Sequence, residues 1–235
     1  MRVRIKYSKQ GLMKFIGHLD MMRYFQKALR RAGIDVTYTE GMSPHMSMSF
    51  ALPLGVGMTS DSEYVDVDLN TPVPGSLIVE RLNSSAPEGV HFTQAREIPE
   101  GKAHKGMNLA ARADYTLTMR PEYAWGEGWK DELMKWLEQP HITVMKKGKK
   151  TEKEVDIRPL IYEAKFSGDK LVLGLGAGLD RNVRPELVMK AFADASGRSF
   201  QPFMFLINRD EVYADLGQDG AHRFTALIDL GKEII

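Results

Sequence analysis

Residues 1–33 read MRVRIKYSKQGLMKFIGHLDMMRYFQKALRRAG, and this stretch decides how the chain begins to fold. Over residues 2–7 apolar and basic side chains alternate, which is typical of a half-buried strand. From residue 17 to 32 the apolar residues recur at spacings of three and four, which predicts an amphipathic helix. Gly33 marks the C-terminal end of this predicted helix. The stretch therefore predicts a strand followed by a helix.

The next residues extend this start into a split β-α-β unit. The sequence predicts strands at 36–39, 63–69 and 91–98, with a helix over 75–84. A long segment rich in Gly, Pro, Ser and Met, residues 41–57, separates the first two of these strands. The order β-α-β-β-α-β is that of a ferredoxin-like domain.

The pattern repeats after residues 99–112, whose glycines and proline indicate a linker. The repeat consists of predicted strands and helices with an extra hairpin: strands at 115–120, 142–147, 154–166, 170–175 and 203–208, and helices at 128–138 and 184–195. We therefore expect an α+β protein of two tandem ferredoxin-like (βαββαβ) domains with antiparallel sheets. The expected domains are 1–100 and 112–212, followed by a tail at 213–235.

Composition excludes several classes of function. The chain is 43% hydrophobic and 27% charged, which are globular values. It has no Cys, which excludes a disulfide framework, a thiol nucleophile and a self-contained iron–sulfur cluster. The first residues alternate in charge, unlike a signal peptide, and no apolar run is long enough to cross a membrane. We expect a cytoplasmic protein with no membrane partner.

The near-zero net charge of +1 hides a local asymmetry. Residues 1–50 hold nine Lys and Arg against three acids, a net of +6, while residues 51–100 hold two against eight, a net of −6. The first fifty residues are therefore a candidate surface for an anionic partner. A second basic run, Lys146–Lys150, indicates a solvated hairpin tip.

Basic residues on the first helix are the first candidate site. Arg23, Lys27 and Arg30 follow one another at i, i+4 and i+7, so they share one face, and Arg31 adjoins them. Asp20 in the first turn is placed to pair with Arg23. Such a stripe suits phosphate binding. The alternative is an ordinary solvated helix face.

The segment 41–57 is the second candidate, because loops of this length are uncommon unless they are functional. Its hydroxyl and imidazole groups, from Ser43, His45, Ser47 and Ser49, are candidate partners of phosphate. Two alternatives remain. The methionines could belong to the core, or they could form an adaptable surface for a partner protein.

Histidines raise a catalytic alternative. His18 at the helix start and His45 in the segment 41–57 could flank a phosphate and exchange protons near neutral pH. Their spacing matches no compact ligand pattern, so we expect no metal site and no cofactor.

Several short motifs together resemble a known family. They are Phe15–Asp20, Arg30–Gly33, Glu40–His45 with Gly41 and Pro44, Ala51–Gly55 with Pro53, Glu63–Tyr64, Val155–Pro159 with Asp156 and Arg158, and Arg184–Glu186. In order and spacing they resemble the bacterial radical-SAM-linked (radical-SAM-associated) protein family, a domain of unknown function, over residues 1–210. More distantly, the arrangement resembles the ferredoxin-like CRISPR repeat-RNA-processing endoribonucleases.

The resemblance implies a partner, since that family occurs beside, or fused to, a radical SAM protein. Radical SAM chemistry needs three Cys ligands, and this chain has none. The leading hypothesis is a non-catalytic accessory of a separately encoded radical SAM enzyme that binds RNA or presents substrate through the basic helix and the segment 41–57. The alternatives are a metal-independent endoribonuclease using His18 or His45, and a protein-interaction module that docks the radical SAM partner.

Overall fold

The computed structural model describes residues 1–147, 152–179 and 181–235. The strands are β1 (Arg2–Lys9), β2 (Met48–Phe50), β3 (Thr59–Asp68), β4 (Val90–Ile98), β5 (Ala110–Met119), β6 (Thr143–Lys147), β7 (Glu152–Asp156), β8 (Ile161–Ser167), β9 (Lys170–Gly176), β10 (Phe205–Asp215) and β11 (Phe224–Ala226). The helices are α1 (His18–Arg31), α2 (Gly75–Asn83), α3 (Gly106–Leu109), α4 (Trp129–Leu137) and α5 (Pro185–Ser196). The tip between β6 and β7, where the sequence predicts a solvated basic turn, lies outside the described residues at 148–151.

A nine-stranded mixed sheet organises the described chain, in the order β4-β1-β3-β10-β5-β9-β8, with β2 beside β3 and β11 beside β10. Strands β6 and β7 form a separate hairpin. Every pairing in the large sheet is antiparallel except β3 with β10, which run parallel at Thr59–Ser60 and Asn208–Arg209. The predicted α+β class is confirmed, and one large mixed sheet is present where separate antiparallel sheets are predicted. Pairing β3 with β10 joins two edges that would otherwise expose backbone donors and acceptors.

Helix α1 packs on the sheet because its apolar residues fall on one side. Met21, Phe25, Ala28 and Leu29 are buried, at the helical spacing that the sequence predicts. The Phe25 ring contacts Tyr7 of β1 edge-on at 4.8 Å between centroids. Gly33 follows the helix with φ +63°, a left-handed conformation that favours glycine. The predicted helix and its stop are confirmed.

Several regions differ from the sequence prediction, and one of them is the predicted strand at 154–166, which a 3-10 turn at Arg158–Leu160 divides into β7 and β8. The predicted strand at 36–39 makes only isolated bridges, from Val36 to Leu69 and from Tyr38 to Met46. Within the segment 41–57, β2 forms instead, because the exposed edge of β3 offers it partners. Helix α3 interrupts the predicted linker.

The predicted tail, residues 213–235, packs against the rest of the chain. Its first residues belong to β10, and β11 then pairs back onto β10. A 3-10 turn follows, in which Leu227 and Ile228 are buried. The backbone of Lys232 pairs with the backbone of Glu97 in β4 through two hydrogen bonds. None of the helices in the described part of the chain has the length and hydropathy of a membrane-spanning segment.

Candidate nucleic-acid interface

Three of the four cations of β1 are paired with acids inside the fold, and the fourth, Lys9, is buried and donates to the Ile16 carbonyl oxygen. Arg2 pairs with Asp68, Arg4 with Asp66 and Lys6 with Glu211, each with 2.7 Å between nitrogen and oxygen. Arg4 is fully buried and also donates to the carbonyl oxygens of Leu227 and His104. These three basic residues therefore contribute little to any surface field, although they count toward the net +6 of the first fifty residues.

Glu63, one of the motif residues, also has an internal partner. Its carboxylate accepts from the buried Arg209 of β10 at 2.6 Å, and Arg209 donates further to the Leu52 carbonyl oxygen. Burial would lower the pKa of Arg209, but Glu63 and Tyr115 raise it above its usual value. Glu63 thus ties β3 to β10 and is not available to a ligand.

The cations of α1 have a different environment. Lys27, Arg30 and Arg31 are exposed, and none forms an ion pair with any residue in the described ranges. Arg23 pairs with Asp20 at 2.9 Å, as the sequence predicts, but both side chains are more than half exposed. Exposed pairs of this kind hold together weakly.

The positions of these cations around α1 follow from its periodicity. Each residue turns the helix by about 100°, so Arg23 and Arg30 lie close together around the axis, with Lys27 roughly 50° further on. Arg31 lies about 100° from Arg30 but only about 40° beyond Lys27. The exposed cationic face therefore spans about 100° and includes Arg23, Lys27, Arg30 and Arg31.

The segment 41–57 runs back along α1 from its C-terminal end to its N-terminal end. Near the C-terminal end, the Arg30 guanidinium contacts the Tyr38 hydroxyl at 3.4 Å. The backbone of Tyr38 pairs with that of Met46 in an isolated antiparallel β-bridge. Near the N-terminal end, the His18 ring packs edge-on against Phe50 at 5.2 Å. Helix and segment therefore lie side by side, as a composite site requires.

The serines of the segment have different surroundings. Ser43 is exposed beside Gly41 and Pro44, in the turn before His45. Ser47 donates to Asp68 at 2.5 Å. Burial would raise the pKa of Asp68, but hydrogen bonds from Arg2 and Ser47 lower it. The Ser47 hydroxyl is thus hydrogen-bonded to a carboxylate, whereas the exposed Ser43 hydroxyl has no hydrogen-bond partner among the described residues.

A groove of about 390 Å³ opens between the helix and the segment, and we call it the α1 groove. Its lining is mainly apolar and comes from several parts of the chain: His18, Met22, Met48, Ser49, Phe50, Ala51, Leu52, Pro53, Met107, Gly178 and Leu179. Met46 and Met58 are buried, so they belong to the core, as one of the alternatives supposes. Met42 is fully exposed.

The two histidines do not meet. His45 hydrogen-bonds Thr39 at 3.1 Å, beyond the C-terminal end of α1, while His18 begins that helix. A helix of 14 residues is about 20 Å long, so the two imidazoles cannot flank one phosphate. Burial, and to a lesser degree the charge of Lys9, lower the pKa of His18. His18 is therefore mostly neutral at neutral pH.

Asp156 and Arg158, the downstream motif residues, have structural partners. Asp156 accepts from the His141 imidazole at 2.7 Å and from the backbone N–H groups of Ile142 and Arg158. These bonds, the His141 bond first, lower the pKa of Asp156 to about 2. The Arg158 guanidinium donates to the Ile161 carbonyl oxygen. Both side chains hold the turn that leads from β7 into β8.

A second groove, of about 790 Å³, lies between residues 56–58 and the later part of the chain, and it is missing from the sequence prediction. Val56, Met145, Leu187 and Phe203 line it. Phe203 is 65% exposed and has φ +63°. No sequence pattern connects these residues, because they come from distant parts of the chain.

Comparison with known proteins places this chain in a family. The family model described as "Uncharacterized protein conserved in bacteria (DUF2344)" matches residues 2–185. This chain belongs to that family. The DUF2344 match contains α1, the segment 41–57 and every residue that lines the α1 groove.

Structural comparison gives one further observation on this DUF2344 protein. A chain in the crystal structure of a Cbf5-Nop10-Gar1 complex is similar to it, with a TM-score of 0.48 and 10% sequence identity. The similarity covers 89% of this chain and 48% of that chain, so this chain spans about half the length of that relative. The comparison with curated proteins finds no match.

Proposed function

We propose that this protein is a non-catalytic RNA-binding accessory, and that RNA lies across the exposed face of α1 beside the segment 41–57. The observation that carries the proposal is the contrast between two sets of cations. Arg2, Arg4 and Lys6 of β1 are paired with acids and Lys9 is buried, whereas Lys27, Arg30 and Arg31 of α1 are exposed without an acidic partner in the described ranges. Unpaired cations on one surface attract phosphates by releasing condensed counterions.

Affinity for RNA tests this proposal. The double variant Lys27→Ala/Arg30→Ala removes two of the unpaired cations, and we expect it to weaken binding roughly tenfold or more at low salt. Lys135→Ala is the matched control, since Lys135 is an exposed cation in the last turn of α4. Equal affinity of the double variant and the control would contradict the proposal.

The radical SAM partner belongs to the same proposal. It is supported by the family resemblance of the motifs and by the lack of Cys, which leaves cluster chemistry to another polypeptide. A pull-down from the native host, with identification of the captured proteins and RNA, tests this part. Recovery of RNA without a radical SAM protein would leave the RNA-binding part standing and remove the partner.

An endoribonuclease is the second candidate, and the environment of His18 favours it. The lowered pKa keeps the imidazole neutral, which is the form a general base needs, and the ring lines the α1 groove. Incubating RNA with the protein in the presence of a chelator tests this candidate. Cleavage that is lost in His18→Ala but kept in His45→Ala would replace the non-catalytic proposal.

We also infer that each half of the molecule is a ferredoxin-like unit. The strand order is β4-β1-β3-β2 in the first half and β10-β5-β9-β8 in the second, with antiparallel neighbours in both. In this interpretation the hairpin β6–β7 is an insertion in the second unit, and the pairing of β3 with β10 fuses the two units.

A further inference from the structure

The α1 groove lies near the N-terminal end of α1, and an exposed aromatic ring lies near the C-terminal end of the same helix. His18 and Met22 line the groove, and Gln26 and Arg30 follow them at intervals of four residues in a row that winds about 120° around the axis of α1. At the far end Arg30 contacts the hydroxyl of Tyr38, whose side chain is 45% exposed.

The α1 groove is mainly apolar, whereas the exposed face of α1 is charged. The floor of the groove is formed by methionine and phenylalanine side chains, among them Met22, Met48 and Phe50. Arg23 and Lys27 lie on the exposed face of the helix, about 100° and about 140° around the axis from Met22. A ligand that contacts both the groove and the exposed cations of α1 needs flat apolar parts and regularly spaced negative charges.

We propose that the α1 groove and Tyr38 bind single-stranded RNA, with the bases toward the apolar floor and the phosphates toward Arg23, Lys27 and Arg30. This inference rests on the proposed function and names its substrate class. Unpaired bases present open faces that stack on aromatic side chains and fill apolar pockets. In a duplex these faces are covered by neighbouring bases, so a duplex reaches only the cations.

Stacking and charge contribute to affinity in different ways, which makes them separable. A cation that contacts a phosphate changes the dependence of affinity on salt, because counterions are released. A stacked base adds affinity with little change in that dependence. Loss of the Tyr38 ring should therefore weaken binding at every salt concentration to the same extent.

The test compares three probes: a short oligouridylate, an RNA duplex of the same length, and heparin as a polyanion without bases. We expect the full-length protein to bind the single strand most tightly. Tyr38→Ala should weaken single-strand binding at least about fivefold, the effect of losing one stacked base, without changing the salt slope. Tyr38→Phe keeps the ring and should restore most of the loss.

The possible failures are distinguishable. Equal affinity for the three probes, with Tyr38→Ala like the wild type, would overturn the single-strand inference and leave RNA binding by the cations of α1 intact. Tighter binding of the duplex would overturn the inference in the same way. Absence of binding to all three probes would overturn the proposed function and, with it, this inference.

Discussion

Arg4 and Arg30 show that the burial and charge pairing of a side chain depend on its neighbours in space. Both are arginines in the basic first part of the chain. Arg4 stands directly opposite Asp66 in the register of β1 and β3, so its charge is neutralised inside the protein. Arg30 is exposed and touches only a tyrosine hydroxyl among the described contacts. A count of charges along the sequence treats the two as equal.

The buried pair makes a prediction about stability at this scale. Asp66→Ala leaves the Arg4 guanidinium buried without its carboxylate and also removes the acceptor of the Gly106 N–H. We expect the free energy of unfolding to fall by about 3–5 kcal/mol, measured by urea denaturation. Asp20→Ala is the matched control, because it breaks an exposed pair and should cost less than about 1 kcal/mol. Similar losses in the two variants would contradict the assignment of Arg4–Asp66 as a structural pair.

At the scale of elements, helix ends were predictable because local chemistry decides them. Gly33, which the sequence predicts as the end of α1, has a positive φ, and so has Gly197 after α5. Strand β2 was not predictable, because its three residues are held by β3 and not by their own pattern. Apolar and polar residues alternate in the predicted strand at 36–39, but its backbone pairs with neighbouring segments only through isolated bridges.

Gly33 supplies a prediction for α1. Gly33→Ala forces an L side chain into a left-handed conformation at φ +63°, although the space around its Cβ position is open. We expect a loss of about 1–2 kcal/mol in the free energy of unfolding, measured by thermal or urea denaturation. Gly33→Asn should lose less, since Asn adopts this conformation more readily. Equal losses would show that the backbone conformation is not the cause.

The turn after β7 supplies a prediction on pH. The pKa of Asp156 is lowered to about 2 in the folded protein, from an ordinary value near 4. Its stabilising contribution is therefore complete above about pH 4 and is lost as the pH falls toward 2. The difference in stability between the wild type and Asp156→Asn should shrink as the pH falls across this window. A difference that grows on acidification would contradict the assignment.

At the scale of the whole molecule, the sequence predicted two halves but not their fusion. Most of the individual strands and helices are predictable, because their hydrophobic patterns are local. The pairing of β3 with β10 involves two residue pairs, and the buried Glu63–Arg209 pair that supports it joins residues 146 positions apart. No periodicity connects residues so distant, and the same is true of the α1 groove, which draws on α1, β2, α3 and residue 179.

The continuous sheet makes a prediction about cooperativity. Because the two halves share a sheet and a buried ion pair, and Leu227 near the C-terminal end packs against the first half, we expect one unfolding transition. Calorimetry and circular dichroism should give the same midpoint. Two separate transitions would indicate that the halves unfold independently.

The central claim is that the cations of α1, and not those of β1, form the surface for RNA. The salt dependence of single-stranded RNA binding tests it most directly, measured for the wild type and for Lys27→Ala/Arg30→Ala. We predict that the slope of log affinity against log salt becomes shallower by about 0.7 for each lost phosphate contact, so by roughly 1.4 in the double variant. An unchanged slope, with RNA still bound, would contradict the account.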